Sequence, residues 1–155
     1  MDEKEYTFPE LISKAENYCA WAERCQFDVA RKLKQWGADH DQSDRIIVHL
    51  IENNFLNELR YAKAFTNDSY RLKQWGKIKI AQKLKSKFIS EYSIKKSLSA
   101  IDEDQYKDNA QQIAVSKWAL TKGNQWEKRT KVARHLNSKG YEFELIQSIL
   151  VKLMD

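Results

Sequence analysis

The residues of this chain whose types could coordinate a metal, attack a carbonyl or relay a proton are few: His40, His49, His135, Cys19, Cys25 and the acidic run Asp102-Glu103-Asp104. Their spacing argues against each chemistry. No histidine has a ligand partner in a pattern such as H-E-x-x-H, so no metal site is expected. The two cysteines are six apart, without C-x-x-C spacing, and fall on different sides of a helix expected over 10–25. They read as a buried thiol and a neighbour rather than as a disulfide. The acidic run sits where a helix start is expected, and negative charge there is favoured by the macrodipole. Trp36-Gly37 and Trp75-Gly76 each supply a lone glycine rather than a phosphate-cradling loop, and no G-x-S-x-G elbow occurs. The expectation is a chain with no catalytic residue, no cofactor and no metal, which acts by binding.

The binding chemistry lies in the cations. The chain carries 27 Lys/Arg against 22 Asp/Glu, a formal charge of +5, and the excess is local. Residues 1–57 are net acidic, whereas residues 60–96 hold eleven Lys/Arg against only Asp68 and Glu91. Lys79, Lys83 and Lys87 recur at i, i+4, i+8, about 100° around a helix from the apolar stripe Ile80/Leu84/Phe88. Lys77 and Lys85 widen the basic region, and Arg60, Lys63, Arg71, Lys73, Lys95 and Lys96 lie on the segments beside it. Like charges at i, i+4 cost an isolated helix a few tenths of a kcal/mol each. A face that accumulates them suits DNA phosphates or an acidic protein surface. The equivalent positions are Asp28, Lys32 and Trp36 in the first third and Lys131, His135 and Lys139 in the last, so the middle is the most basic.

The elements that must position these residues are helices in a repeat. Val29-Ala30-Arg31-Lys32-Leu33, Ile80-Ala81-Gln82-Lys83-Leu84 and Val132-Ala133-Arg134-His135-Leu136 share the pattern [VI]-A-x-[KH]-L about 50 residues apart. Ile94/Leu98 and Ile146/Leu150 follow their leucines at the same spacing, and Ile46/Leu50 follow Leu33 with three extra residues. That insertion is expected in a loop over 38–42. Four glycines and one proline are too few for the turns of a β-sandwich or barrel. The fold expected is all-α: three tandem three-helix repeats (1–56, 57–101, 102–155) forming an elongated, curved helical array. Helices are expected near 10–25, 28–37, 43–54, 57–75, 77–87, 90–100, 103–122, 125–138 and 142–154. Asn57, Ser90, Asp102 (in a capping box with Gln105) and Asn124 read as N-caps, and Gly37, Gly76, Gly123 and Gly140 as C-terminal stops. A single unit has little area to bury alone, so the units are expected to stack on one another. No apolar run approaches the roughly 18 residues of a membrane span, and a cytoplasmic monomer is expected.

The middle unit, Phe55-Leu56-Asn57-Glu58-x-Arg60-Tyr61-Ala62-x-x-Phe65, then Asp68, Arg71, Trp75-Gly76 and Lys79-Ile80-x-x-x-Leu84-x-x-Lys87, closely resembles the central motif of the RecX family of recombination regulators. Lys139-Gly140 and the three-helix repeat also fit. One departure is Phe88, where the family usually has glycine, which concerns the end of the fifth helix. The resemblance implies nine helices in three repeats. It also implies a regulator that binds the RecA recombinase and its DNA filament, blocks extension, promotes disassembly and damps ATP hydrolysis and strand exchange. Arg60, Arg71, Lys73, Lys77, Lys79, Lys83, Lys85, Lys87, Lys131, Arg134 and Lys139 are the expected contacts to recombinase or to single- and double-stranded DNA. An autonomous DNA-binding protein and an α-solenoid scaffold with a purely protein partner are the other classes that the residues admit.

Overall fold

The computed structural model describes residues 5–155, and among these it has nine helices and no strand. They are α1 (Phe8–Trp21), α2 (Gln26–Gln35), α3 (His40–Glu52), α4 (Glu58–Arg71), α5 (Lys77–Ser86), α6 (Glu91–Ser99), α7 (Glu103–Leu120), α8 (Gln125–Lys139) and α9 (Phe143–Met154). Each consecutive three pack on one another as a repeat. Helix α1 starts earlier than the apolar spacing implies because Thr7 and Glu10 close a full capping box around Pro9. It also ends earlier, at Trp21, so Cys25 is not on that helix but is the N-cap residue of α2. Asn57, Ser90, Asp102 and Asn124 each accept a backbone N–H three residues on. The Asp102 box is only half made, because the Gln105 side chain donates instead to Asn109 Oδ1 at 2.8 Å.

The leucines of the repeated pattern are equivalent: Leu33, Leu84 and Leu136 lie on the second helix of each trio and are fully buried, as are Val29, Ile80 and Val132. The extra residues of the first repeat are not in a loop. The pattern leucine and the next N-cap residue are six apart in every repeat (Leu33 to Asp39, Leu84 to Ser90, Leu136 to Glu142). The insertion therefore lengthens α3 at its start, by close to one turn, which keeps Ile46 and Leu50 on the buried face. The stripe Ile80/Leu84/Phe88 also needs correction. Helix α5 stops at Ser86, and Phe88 lies beyond it at φ 62° with 80% of its surface exposed. The residue that departs from glycine thus occupies a left-handed position of the kind glycine favours.

The three repeats do not share one core. Repeat 1 closes its own around Leu11, Ala15, Cys19, Val29, Leu33, Ile46, Leu50 and Leu56. Repeats 2 and 3 form a single core running from Tyr61 and Ile80 to Tyr141 and Leu150, which Cys25 of repeat 1 joins as a buried member and against which Phe27 packs. Repeats 2 and 3 stack through this common core, whereas repeat 1 keeps a core of its own and meets repeat 2 through Cys25, Phe27 and the side-chain pairs described below. The molecule is drawn out: its accessible surface is 10085 Å², against roughly 8,100 Å² for a compact monomer of its mass.

The two junctions differ in kind. Between repeats 2 and 3 the backbones meet. Gly76 N donates to Lys139 O at 2.8 Å, Ile78 N donates to Gly140 O at 3.0 Å, and Lys77 N donates to Tyr106 Oη at 2.9 Å. Gly76 is thus the N-cap of α5 at φ −78°, not a helix stop, and the left-handed residue after α4 is Gln74. Glycine is required at 76 for space, because a Cβ there would overlap the Gly140 carbonyl. Between repeats 1 and 2 side chains make the junction: Arg60 Nε to Glu23 at 2.6 Å, Lys87 Nζ to Asp28 at 2.6 Å, and the rings of Phe27 and Phe88 at 5.7 Å.

Candidate macromolecule-binding surface

The eleven cations singled out from the sequence fall into two groups. Arg60, Lys77 and Lys87 are engaged inside the molecule. Arg60 also donates to Asn54 Oδ1 and to the carbonyls of Asn54 and Phe55, so four of its five N–H groups are used. Lys77 pairs with Glu103 across the junction of repeats 2 and 3. Lys87 is the C-cap of α5, and its carboxylate partner Asp28 is mostly buried. These three hold repeats together. Sequence spacing gave no sign of it, because their partners lie 26 to 59 residues away.

Among the described residues, the other eight make no salt bridge. Lys73, Lys79 and Lys139 gather where repeat 2 meets repeat 3. The ammonium groups of Lys73 and Lys79 each lie 4.6 Å from the centroid of the Trp75 ring. Trp75 is half-buried, against Phe65 at 6.3 Å. Lys139 Nζ donates to the Lys73 carbonyl at 3.2 Å, and Arg71 Nε donates to Tyr70 Oη at 3.0 Å. Lys83 and Lys85 on α5 and Lys131 and Arg134 on α8 are exposed. Lysines in the first turn of α5 oppose the helix dipole. Tyr106 and the carbonyls of Lys139 and Gly140 satisfy the N–H groups there, so the positive end of α5 is held by repeat 3.

Exposed aromatic groups stand near two cations outside this group. Tyr92 accepts from Lys96 Nζ at 3.1 Å, and the Arg129 guanidinium lies 5.7 Å from the Trp126 ring. Composition alone did not single these out. Among the described residues no His/Cys/Asp/Glu group is arranged to hold a metal ion. Both thiols are free and buried, and burial pushes Cys19 up to about 11, which makes it a poor nucleophile. No described helix is long and apolar enough to cross a membrane.

The fold and surface define a class: a tandem helical-repeat protein with a cationic face. Residues 57–98 match the second three-helix domain of RecX, and residues 103–150 match the third. The regulatory protein RecX of Clostridium tetani is 30% identical over 169 residues, covering 98% of this chain and 76% of its own length. That of Prosthecochloris aestuarii is 25% identical, covering 92% and 93%. The crystal structure of RecX from Lactobacillus salivarius superimposes with a TM-score of 0.80 at 20% identity, over 94% of this chain and 96% of that one. The chain belongs to the RecX family of regulatory proteins.

Proposed function

We propose that this chain binds a RecA-type recombinase filament and its DNA, and restrains filament extension, ATP hydrolysis and strand exchange. The observation that supports it best is the cationic face of a RecX-family array: Lys73 and Lys79 on the Trp75 ring with Lys139 beside Lys73, accompanied by the exposed Arg71, Lys83, Lys85, Lys131 and Arg134. Cations without carboxylate partners exchange their counterions for phosphates at little cost, or meet the acidic face of a protein. A binder of this kind acts by occupancy, shifting a filament equilibrium through its differential affinity for the states. In this reading Arg60, Lys77 and Lys87 contribute by holding the array in shape. The units, taken as 1–56, 57–101 and 102–155, act together as a monomer in the cytoplasm, in DNA repair and the SOS response.

The test is an ATPase and strand-exchange assay with a purified recombinase, titrated with this chain. Inhibition should appear well below one chain per recombinase monomer, since a filament grows from its ends and one bound array spans several protomers. The triple variant K79E/K83E/K85E should weaken inhibition and lower the salt slope of single-stranded DNA binding by about 0.7 per lost phosphate contact. Inhibition seen only at stoichiometric amounts, or lost when free DNA is in excess, favours the second reading, an autonomous DNA-binding protein acting through the same cations.

A further inference from the structure

Beyond that surface, one crevice collects positive charge, and the carboxylate nearest its lining, Asp108, stands behind Gln112, which donates to it at 2.9 Å. It has a volume of about 530 Å³ and lies between α7 and α8 where they meet the segment after α4. Its polar lining is Gln74, Gln112, Ser116, Lys117, His135 and Lys139, and no carboxylate lines it. Among the described residues neither lysine makes a salt bridge. Lys139 gives one hydrogen bond to the Lys73 carbonyl, leaving two of its three donors for a ligand. His135 is half-buried, and burial, then Lys117 and then Lys139, hold its imidazole below the ordinary histidine value. Every charge acting on it is positive. Helix α9, the other helix packed on α8, puts no titratable group into the crevice.

We infer that this crevice is a phosphate-binding site, with Lys117 and Lys139 as the charge pair, His135 as a proton-dependent third donor, and, as neutral partners, Ser116 and the amide hydrogen of Gln112 that is not given to Asp108. The donor set selects phosphate over carboxylate. A carboxylate is planar, carries one charge and is matched by the guanidinium fork, and no arginine lines the crevice. Point-charge ammonium groups with additional neutral donors suit a tetrahedral oxyanion that carries more charge and more acceptor atoms. Bound phosphate reverses the field on His135. The imidazole then takes up a proton and donates to the ligand, so binding tightens as pH falls through the histidine range. The inference stands apart from the recombinase reading and shares only Lys139 with it.

The test follows the His135 imidazole by NMR in the full chain, from pH 5 to 8, in chloride, inorganic phosphate or pyrophosphate at matched ionic strength. The expected result is a titration in phosphate about one unit above that in chloride, equivalent to tenfold tighter binding by the imidazolium form. His40 and His49 should not move. K117Q alone should reduce the rise and K117Q/K139Q should abolish it, with far-UV circular dichroism unchanged. A dT oligonucleotide that reproduces the rise makes a strand's backbone the source; a rise with free phosphate alone makes it a small phosphate. An unmoved His135, an equal rise at all three histidines, or a rise given only by an acidic peptide overturns the inference. A wild-type chain that raises His135 in phosphate but never inhibits a recombinase sinks the proposed function and leaves this site standing.

Discussion

Gly76 and Gly140 meet backbone to backbone, and each lacks the one atom that would push repeats 2 and 3 apart. Overpacking a core usually costs about 1–3 kcal/mol because neighbouring side chains give way. Here the Gly76 neighbour is main chain that is itself hydrogen-bonded. Gly76→Ala should therefore cost about 3 kcal/mol or more in urea unfolding. Gly37→Ala, at φ 87° with open space around it, should cost only about 1–2 kcal/mol of left-handed strain. Equal losses at the two sites would refute the backbone contact. Protonation states carry a second expectation. Burial pushes the Cys19 thiol up to about 11 and the Tyr141 phenol up to about 12, and burial, aided by Glu142, pushes the Tyr106 phenol up further. A neutral form favoured by folding gives stability that is complete below the unfolded value and is lost as pH rises through the folded one. Thermal melts should hold steady up to about pH 8 and fall between about pH 9 and 12. A melting temperature unchanged up to pH 12 would contradict that.

Capping and periodicity made most of the helices legible, because both are local and strong. Ser90 was readable as an N-cap, but its second role was not. Its hydroxyl and backbone N–H both donate to Glu58, 32 residues earlier, tying the start of α6 to the start of α4. Partial burial pushes Glu58 up, but the bonds from Ser90 and Ser93 outweigh it and hold its carboxyl below the usual value. Loss of an N-cap alone costs about 1 kcal/mol, so Ser90→Ala should cost about 2 kcal/mol, the extra share coming from a bond to a charged group. That extra share should be present above the ordinary glutamate value and vanish as pH falls through the folded one. An Asn57→Ala control as costly as Ser90→Ala at pH 7 would remove the Glu58 contribution. The cations were less legible than the helices. Lys79, Lys83 and Lys87 share a helical spacing, but Lys87 lies past the end of α5, and only tertiary packing brings Asp28 to it. For the same reason nothing in the local spacing joined Lys117 to His135. Phe88 is the instructive case: the departure from glycine was visible in the sequence, whereas the Phe27 ring beside it was not.

At the scale of the molecule, repeat 1 with its own core is set against a two-repeat body. The junction of repeats 1 and 2 rests on Glu23–Arg60, Asp28–Lys87 and the Phe27–Phe88 pair, and a cleft of about 660 Å³ opens beside them. A fragment of residues 57–155 should keep its helicity and cooperative unfolding, whereas one of residues 57–102 should lose both, because the Gly76 and Ile78 N–H groups and the Tyr70 carbonyl would lose their partners in repeat 3 and the shared core would be cut in half. A folded repeat 2 in the shorter fragment would disprove the shared core. It follows that the part repeat 3 plays in binding should be measured with charge changes at Lys131 and Arg134 rather than by truncation. The same division sets an order of events on the ribosome. Repeat 1 has every residue of its core once Leu56 has left the exit tunnel. Repeat 2, complete at residue 101, has to wait for Tyr141 and Leu150, the latter about 50 residues beyond its own end, which at roughly 5–20 residues per second is about 3–10 s. For that interval the nascent middle repeat carries its basic surface and an uncovered apolar face together, and it is then that chaperones would engage the chain.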